Sequence, residues 1–246
     1  LDKSLCSRAR LSPPANKKTN KGEKKMKKFF LTVAAAALVS TTPLVAKNHA
    51  YGIDIASGIV AFDSAKGTLD GVEYSFKGLS ILPLKISSYD CFLLGNHIGV
   101  YGSLGLRPGA IYDREMKAYG VTLSAGNSSR FGLDLMVGPA FGVDLGDSSV
   151  RFQIGVPFHA LWAWGPDYET ETNKYRYSAY GFALTPQFRF TANRRCSFIA
   201  GADFMFDFAV NWWENYGDLG EISHSIDDAF CFTVLPYIGL GINFGD

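Results

Sequence analysis

Arg130–Leu145 reads "RFGLDLMVGPAFGVDL" and alternates with a period of two. Phe131, Leu133, Leu135, Val137, Phe141 and Val143 fall on one side of an extended strand, while Gly132, Asp134, Gly138, Gly142 and Asp144 fall on the other. The run far exceeds the length of a usual soluble strand, about 5–6 residues. Two folds accommodate such a strand. A soluble sandwich turns Phe, Leu and Val into its core and the carboxylates to water. A closed barrel in lipid turns the greasy face outward and must bury the carboxylates in its lumen.

The same pattern recurs along the chain. In Val150–Trp164, "VRFQIGVPFHALWAW", Val150, Phe152, Ile154, Val156, Phe158, Trp162 and Trp164 oppose Arg151, Gln153, Gly155, Pro157 and His159. Phe182, Leu184, Phe188 and Phe190 oppose Gly181, Thr185, Gln187 and Arg189, and Phe198, Phe204, Phe206 and Phe208 oppose Gly201, Asp203, Met205 and Asp207. No stretch after Ala50 holds a helical period. The runs are long enough for the ~9–11 residues that a tilted strand needs to cross a bilayer. Candidate strands cover about 51–62, 72–88, 97–110, 115–126, 131–144, 150–164, 176–192, 197–210 and 229–244. With both ends on one side the number must be even, so one candidate within 72–126 is a loop or a merged piece. Eight strands is the expectation and ten the alternative.

Asn127-Ser128-Ser129, Gly146–Ser149 and Asn193-Arg194-Arg195 read as short turns, and 165–175 and 211–228 as long polar loops. The second of these carries Glu214, Asp218, Glu221, Asp227 and Asp228 beside Trp212, Trp213 and Tyr216, a mixture suited to an exposed, partner-facing element. Tyr51, Trp162, Trp164, Tyr175, Tyr177 and Tyr180 gather at strand ends with those aromatics, where girdles meet the lipid–water boundary. Consistent alternation points Asp54, Arg107, Asp134, Asp144, Arg151, Gln187, Arg189, Asp203 and Asp207 inward. From this follows an expected lumen charge network of Asp134, Asp144, Arg151, Arg189, Asp203 and Asp207, both signs mixed. Leu161, Met205 and Ala209 could line an apolar stretch near the outer rim.

Net charge is +1 over 246 residues, which argues against a nucleic-acid binder. Positive charge concentrates in Lys3–Lys28. From Met26, Lys27 and Lys28 precede an apolar run to Val39 and then small residues, the layout of a secretory signal too short to span a membrane. Residues 1–25 accordingly read as a translated leader or a disordered basic tail, 26–46 as a signal peptide and 47–246 as the barrel. Cleavage is expected after Ala46, with Ala50 as the second site.

The last strand, "LPYIGLGINFGD", resembles the terminal signal of outer-membrane barrels at Tyr237, Gly239, Ile242 and Phe244, with Gly245 and Asp246 added beyond the usual final aromatic. Residues 51–246 as a whole resemble the small bacterial outer-membrane barrels, the OmpA-transmembrane, OmpX and OmpW-like group, and spirochaete surface proteins. That resemblance implies an integral protein of the bacterial outer membrane. Its partners would be outer-membrane lipid and the barrel-assembly machinery, with host components or small hydrophobic molecules as further candidates.

Little else points to chemistry. Cys91, Cys196 and Cys231 give neither a disulfide framework nor a metal pattern, and are expected to be unpaired. His97 and His159 can face the lumen, but no Ser/His/acid spacing accompanies them. No catalytic residue, cofactor or metal is expected. Three functions stay open: a surface barrel displaying its loops, an OmpW-like conduit for small hydrophobic molecules, and a lipid-modifying barrel enzyme. An eight-stranded barrel is just wide enough for side chains to fill, which disfavours a general porin.

Overall fold

A computed structural model of the chain describes residues 51–246 except 70, 126, 147–148, 167–173, 216–220 and 245–246. The leader and signal-peptide readings fall on 1–50, outside the described residues. Every described element is a strand. β1 (Tyr51–Ser57) and β2 (Val60–Leu69) are halves of one strand, as are β3 (Val72–Ile81) and β4 (Leu84–Leu93), β6 (Val121–Ala125) and β7 (Ser128–Leu145), and β8 (Val150–Gly155) and β9 (Phe158–Pro166). β5 (Ile98–Ala118), β10 (Lys174–Thr191), β11 (Cys196–Asn215) and β12 (Glu221–Phe244) run unbroken. The two halves of each interrupted strand share at least one neighbour, so the segments make eight antiparallel strands, each paired with the next. β12 returns to β1 from Tyr51↔Phe244 to Ser57↔Ile238, and the sheet closes. It is an up-and-down barrel of eight strands.

Proline explains two of the interruptions, since it has no N–H to give the ladder. At Pro83 the gap is knitted by Gly58 N donating to Pro83 O and Leu82 N to Ile59 O, each at 3.0 Å. At Pro157, Val156 N donates to Pro139 O (3.0 Å) and Ala183 N to Pro157 O (2.9 Å). Closure also demands a stagger. Cα partners followed once around, from Asp54 through Ser87, Ser103, Met136, His159, Gly181, Asp207 and Cys231, return at Ala65 and not at Asp54. That displacement along the first strand is the shear that tilts barrel strands. Every residue on the circuit is buried.

The outer face is a belt of exposed apolar side chains: Ile53 and Ile55, Ile86, Leu104 and Leu106, Phe131, Phe182, Phe198, Leu240 and Ile242, all between 37% and 64% exposed. Such a surface on every side is untenable in water and is what lipid requires. The belt has a boundary. Down β3 the outward side chains change from Glu73, Ser75 and Lys77 to Leu79 and Ile81, and along β5 from Leu104 and Leu106 to Asp113, Glu115 and Lys117. Lys77 Nζ meets Asp113 Oδ2 at 2.9 Å and Lys117 Nζ meets Glu73 Oε2 at 3.9 Å. These side chains are more than half exposed, so the pairs mark water more than they stabilise. The hydrogen bond to Asp113 raises the Lys77 pKa above its ordinary value. Aromatic rings sit at the same level, with Trp162 edge-on to Tyr180 and Phe131 stacked on Trp164, each pair 6.2 Å apart.

Several expectations change. The 115–126 candidate is the merged piece: its residues are the distal ends of β5 and β6, joined at Tyr119-Gly120. Asn127-Ser128-Ser129 is accordingly no turn, since Ser128 and Ser129 already belong to β7. The chain turns at Tyr119 (φ 50) and Gly120 (φ +79), two left-handed residues in the hairpin manner, and tyrosine does not announce such a turn. Most of 211–228 is strand and not loop, because β11 and β12 stay paired from Val210↔Ile226 to Asn215↔Glu221. A register shift after Asp207↔Cys231 breaks the alternation there and hides the continuation. Pairing also reaches Lys174↔Pro166, which leaves only 167–173 of the 165–175 segment outside the described residues.

The belt predicts its own perturbation. Leu104→Arg, between Ile86 and Leu135 in mid-belt, should cost about 2–4 kcal/mol. Ser75→Arg, beyond the boundary, should be nearly neutral. Urea titration of the protein folded into lipid vesicles measures both.

Candidate functional site in the barrel lumen

Glycine, alanine and serine along the inner face leave room for a few long polar side chains. A Cβ on Gly105 would lie 2.5 Å from both Asp134 carboxylate oxygens, and one on Gly241 would lie 2.5 Å from Arg189 Nη2. The lumen fills in layers, taken here from the end that carries Tyr51 and Phe244 (the terminal end) towards the distal end. Arg189 Nη1 donates to Asp54 Oδ1 at 2.7 Å, its Nη2 to Asn243 Oδ1 at 2.6 Å and its Nε to Ser197 Oγ at 3.2 Å. Gln187 Nε2 donates to Asp54 Oδ2 at 2.9 Å, and Tyr237 OH to Gln187 Oε1 at 3.1 Å.

Above this floor Lys85 Nζ donates to both oxygens of Asp203, at 2.8 and 2.7 Å. The ammonium also lies 4.0 Å from the ring centroid of Tyr237 and 5.3 Å from that of Tyr101, where the negative ring faces favour a cation. Tyr89 OH donates to the oxygens of Thr185, 2.8 Å from Oγ1. In the next layer Arg107 Nε meets Asp134 Oδ2 at 2.5 Å and Nη2 reaches Met205 Sδ at 2.6 Å. His159 Nδ1 sits 2.8 Å from Asp207 Oδ1, and its Nε2 sits 3.5 Å from Arg107 Nη2. Farther up, Arg130 pairs with Asp63, whose Oδ1 also accepts from Thr233 Oγ1 at 2.7 Å, and Arg130 Nη1 donates to Tyr177 OH at 2.7 Å. An apolar cluster of Ile111, Leu161, Ala163, Ala179, Val210 and Cys231 caps the stack.

Strand position gives these contacts their meaning. Arg107 and Met205 stand on the third and seventh strands, four apart in a ring of eight, so they face one another across the diameter. Tyr89 and Thr185, on the second and sixth, do the same. Opposite walls thus touch at two levels of the lumen.

The structure gathers Asp134, Arg189, Asp203 and Asp207 into this interior, together with Asp54, Arg107 and Gln187. Asp144 and Arg151 are not among them. They pair with each other at 2.8 Å at the terminal rim, with the Asp144 side chain 46% exposed. Their strands have already reached the Gly146 turn, where parity no longer decides burial. Tyr177 is a lumen residue and not a girdle residue, and Ala209 faces outward because it lies in the β11 register shift. Leu161 and Met205 do face inward. His97 is exposed beside the β4–β5 turn, bonded to Gly142 O at 2.9 Å, while His159 is fully buried. Among the described residues Cys91, Cys196 and Cys231 are free, with Cys196 exposed and the other two buried. Tyr237 and Gly241 face the lumen while Ile242 and Phe244 face out, and Gly239 packs against the β1 backbone at Ile55 and Ala56. Sequence reading missed Asp63, Lys85 and Arg130. Alternation held their signal, since each follows or precedes an outward Phe62, Leu84 or Phe131. Among the described residues no group of His, Cys, Asp and Glu could hold a metal ion.

The chain is a small integral membrane β-barrel. No protein-family model matches it, and no curated protein does. Solved structures resemble it at the level of fold. OprG from Pseudomonas aeruginosa is 16% identical with a TM-score of 0.44, covering 81% of this chain and 99% of its own. A major outer membrane protein of Thermus thermophilus is 14% identical with a TM-score of 0.45, over 77% and 99%. Ail, the attachment invasion locus protein of Yersinia pestis, is 14% identical with a TM-score of 0.39, over 78% and 98%. Likenesses this distant decide nothing about activity, and they give a spirochaete origin no support. The closed sheet, its apolar belt and its charged interior place the protein in the membrane on their own.

Removing one member of a buried pair strands the other without water. Lys85→Met should therefore destabilise the barrel by about 3–5 kcal/mol. The double variant Lys85→Met/Asp203→Leu should regain most of that loss, as urea unfolding from vesicles would register.

Proposed function

We propose that the protein is a closed barrel acting as a rigid membrane mount that presents its distal β-ribbons at the cell surface, in the manner of a structural or adhesin-like surface protein. The observation that carries this reading is the Arg107–Met205 contact across the lumen diameter, with the Lys85–Asp203 pair on its terminal side. A barrel blocked by buried, paired ions has no path for solutes. What it has to offer lies at its distal end, where β3, β5, β6, β11 and β12 continue past the lipid belt.

The conduit reading draws support from the apolar upper lumen around Leu161 and Ile111. A molecule entering there meets Arg130–Asp63 and Arg107–Asp134 as its floor, so this reading comes second. An enzymatic reading is weaker again. His159 and Asp207 form a dyad, but both side chains are only 0–1% exposed, away from the lipid face where a lipid substrate would lie.

Two measurements test the proposal. In planar bilayers the refolded protein should show no steady conductance, and large, stable single-channel currents would favour the conduit. On intact cells a membrane-impermeant maleimide should label Tyr119→Cys at the distal tip. It should leave the natural Cys196, exposed at the terminal end, unlabelled until the outer membrane is permeabilised.

A further inference from the structure

Asp90 does not suit the lipid belt. Down the outward face of β4, Ile86 is followed by Ser88, Asp90 and Phe92 as the strand runs to the terminal end. Asp90 is half-buried among apolar neighbours, with Val100 beside it on β5 and Ile86 and Phe92, each 46% exposed, along its own strand. The outward carboxylates Glu73, Asp113 and Glu115 instead stand beyond the distal boundary of the belt. An ionisable group placed against lipid is costly, and where one persists it marks a function or a partner.

The five lumen aspartates each have a cationic side chain within contact. Asp90 makes no ion pair among the described residues, and its one hydrogen bond is accepted from Ser88 Oγ at 2.9 Å. That same hydroxyl lies 2.8 Å from Gly52 O. A serine has a single hydroxyl hydrogen, so it serves one of these acceptors at a time and leaves the other short. The shortage has a topological cause. β1 runs to Tyr51 and β4 to Leu93, yet the ladder between them ends at Asp54↔Ser87. Past that pair a notch begins, where Ser88 Oγ stands in for a main-chain donor. Gly102, opposite Ser88 on β5, adds room: nothing lies within 4 Å of where its Cβ would be. The notch is rich in acceptors, poor in donors and open toward lipid.

We propose that this notch holds the headgroup of a phospholipid that ends in a primary ammonium. An ammonium brings three N–H donors and a positive charge. That is the complement of a carboxylate and a carbonyl sharing one hydroxyl. The ammonium bonds Asp90 and Gly52 O, and the acyl chains run from there along the outer wall over Ile86 and Leu104. Other headgroups match less well. A quaternary ammonium has the charge and no N–H, while a glycerol headgroup has donors and no positive charge. A metal ion fits poorly, since one carboxylate, one hydroxyl and one carbonyl fall short of the six to eight oxygens that calcium takes. Which end of the barrel faces the cell exterior has no bearing on the contact, because both leaflets of a synthetic bilayer can carry such a lipid.

The test uses the full barrel refolded in nanodiscs of phosphatidylethanolamine, phosphatidylcholine and phosphatidylglycerol in equal parts, with matched acyl chains. Native mass spectrometry of the released protein should find phosphatidylethanolamine retained over the other two. Asp90→Asn keeps the shape and removes the charge, and should lower that retention about tenfold, the strength of one charge-assisted hydrogen bond. Asp90→Glu should retain more than Asp90→Asn does. Gly102→Leu leaves the carboxylate in place but fills the space beside Ser88, and should weaken retention as well. Heat-modifiable mobility verifies that each variant is folded. Free phosphoethanolamine at millimolar concentration should not displace the lipid. The proposal is overturned if the three lipids are retained alike, if Asp90→Asn keeps the preference, or if phosphoethanolamine displaces the lipid, which would make the notch a site for a soluble amine.

Discussion

Lipid offers no hydrogen bonds, so each strand of a membrane sheet must find its main-chain partners in the next, and the last strand in the first. β12 meets this demand twice over, pairing along one edge with β11 and along the other with β1 and then β2. Everything inside follows from closing the ring at eight strands. The interior becomes about one long side chain across. Arg107 reaches Met205 on the opposite wall for that reason, and no extra bulk was needed to fill the lumen.

A narrow interior sets its own electrostatic rule. A narrow interior cannot hold the full hydration shell that an ion keeps in a wide pore, so each buried carboxylate needs a partner within contact. Asp54 has Arg189, Asp63 has Arg130, Asp134 has Arg107, Asp203 has Lys85, and Asp207 has His159. Buried pairs of this kind add little net stability, because desolvation consumes most of their attraction. What they specify is register. A strand slipped by one residue would turn Asp134 to lipid and Leu133 or Leu135 into the lumen.

How much of this could be read beforehand depended on parity. Period-two alternation identified the outward belt and put Asp54, Arg107, Asp134, Gln187, Arg189, Asp203 and Asp207 on the inner face, where the structure has them. It could not say which acid meets which base, since Lys85 and Asp203 are brought together only by closure of the ring. It also failed wherever the ladder shifts register. Past the irregularity after Asp207 the strands β11 and β12 continued in pairing, yet their side chains no longer alternated in phase, so a strand looked like a loop. The Tyr119-Gly120 turn went unseen for a chemical reason: a tyrosine with positive φ has no turn signature in sequence.

The distal ribbons bear on what kind of recognition such a barrel can perform. A flexible surface loop loses conformational entropy on binding, of order 1–2 kcal/mol for each backbone residue that it fixes. β5 and β6 have already fixed theirs, since five consecutive residue pairs hold β6 to a strand that is itself rooted in the membrane wall. A partner docking there would have to order only its own chain. On the function proposed above, closure at eight strands shifts selectivity outward, from what can pass through the barrel to what can lie alongside it.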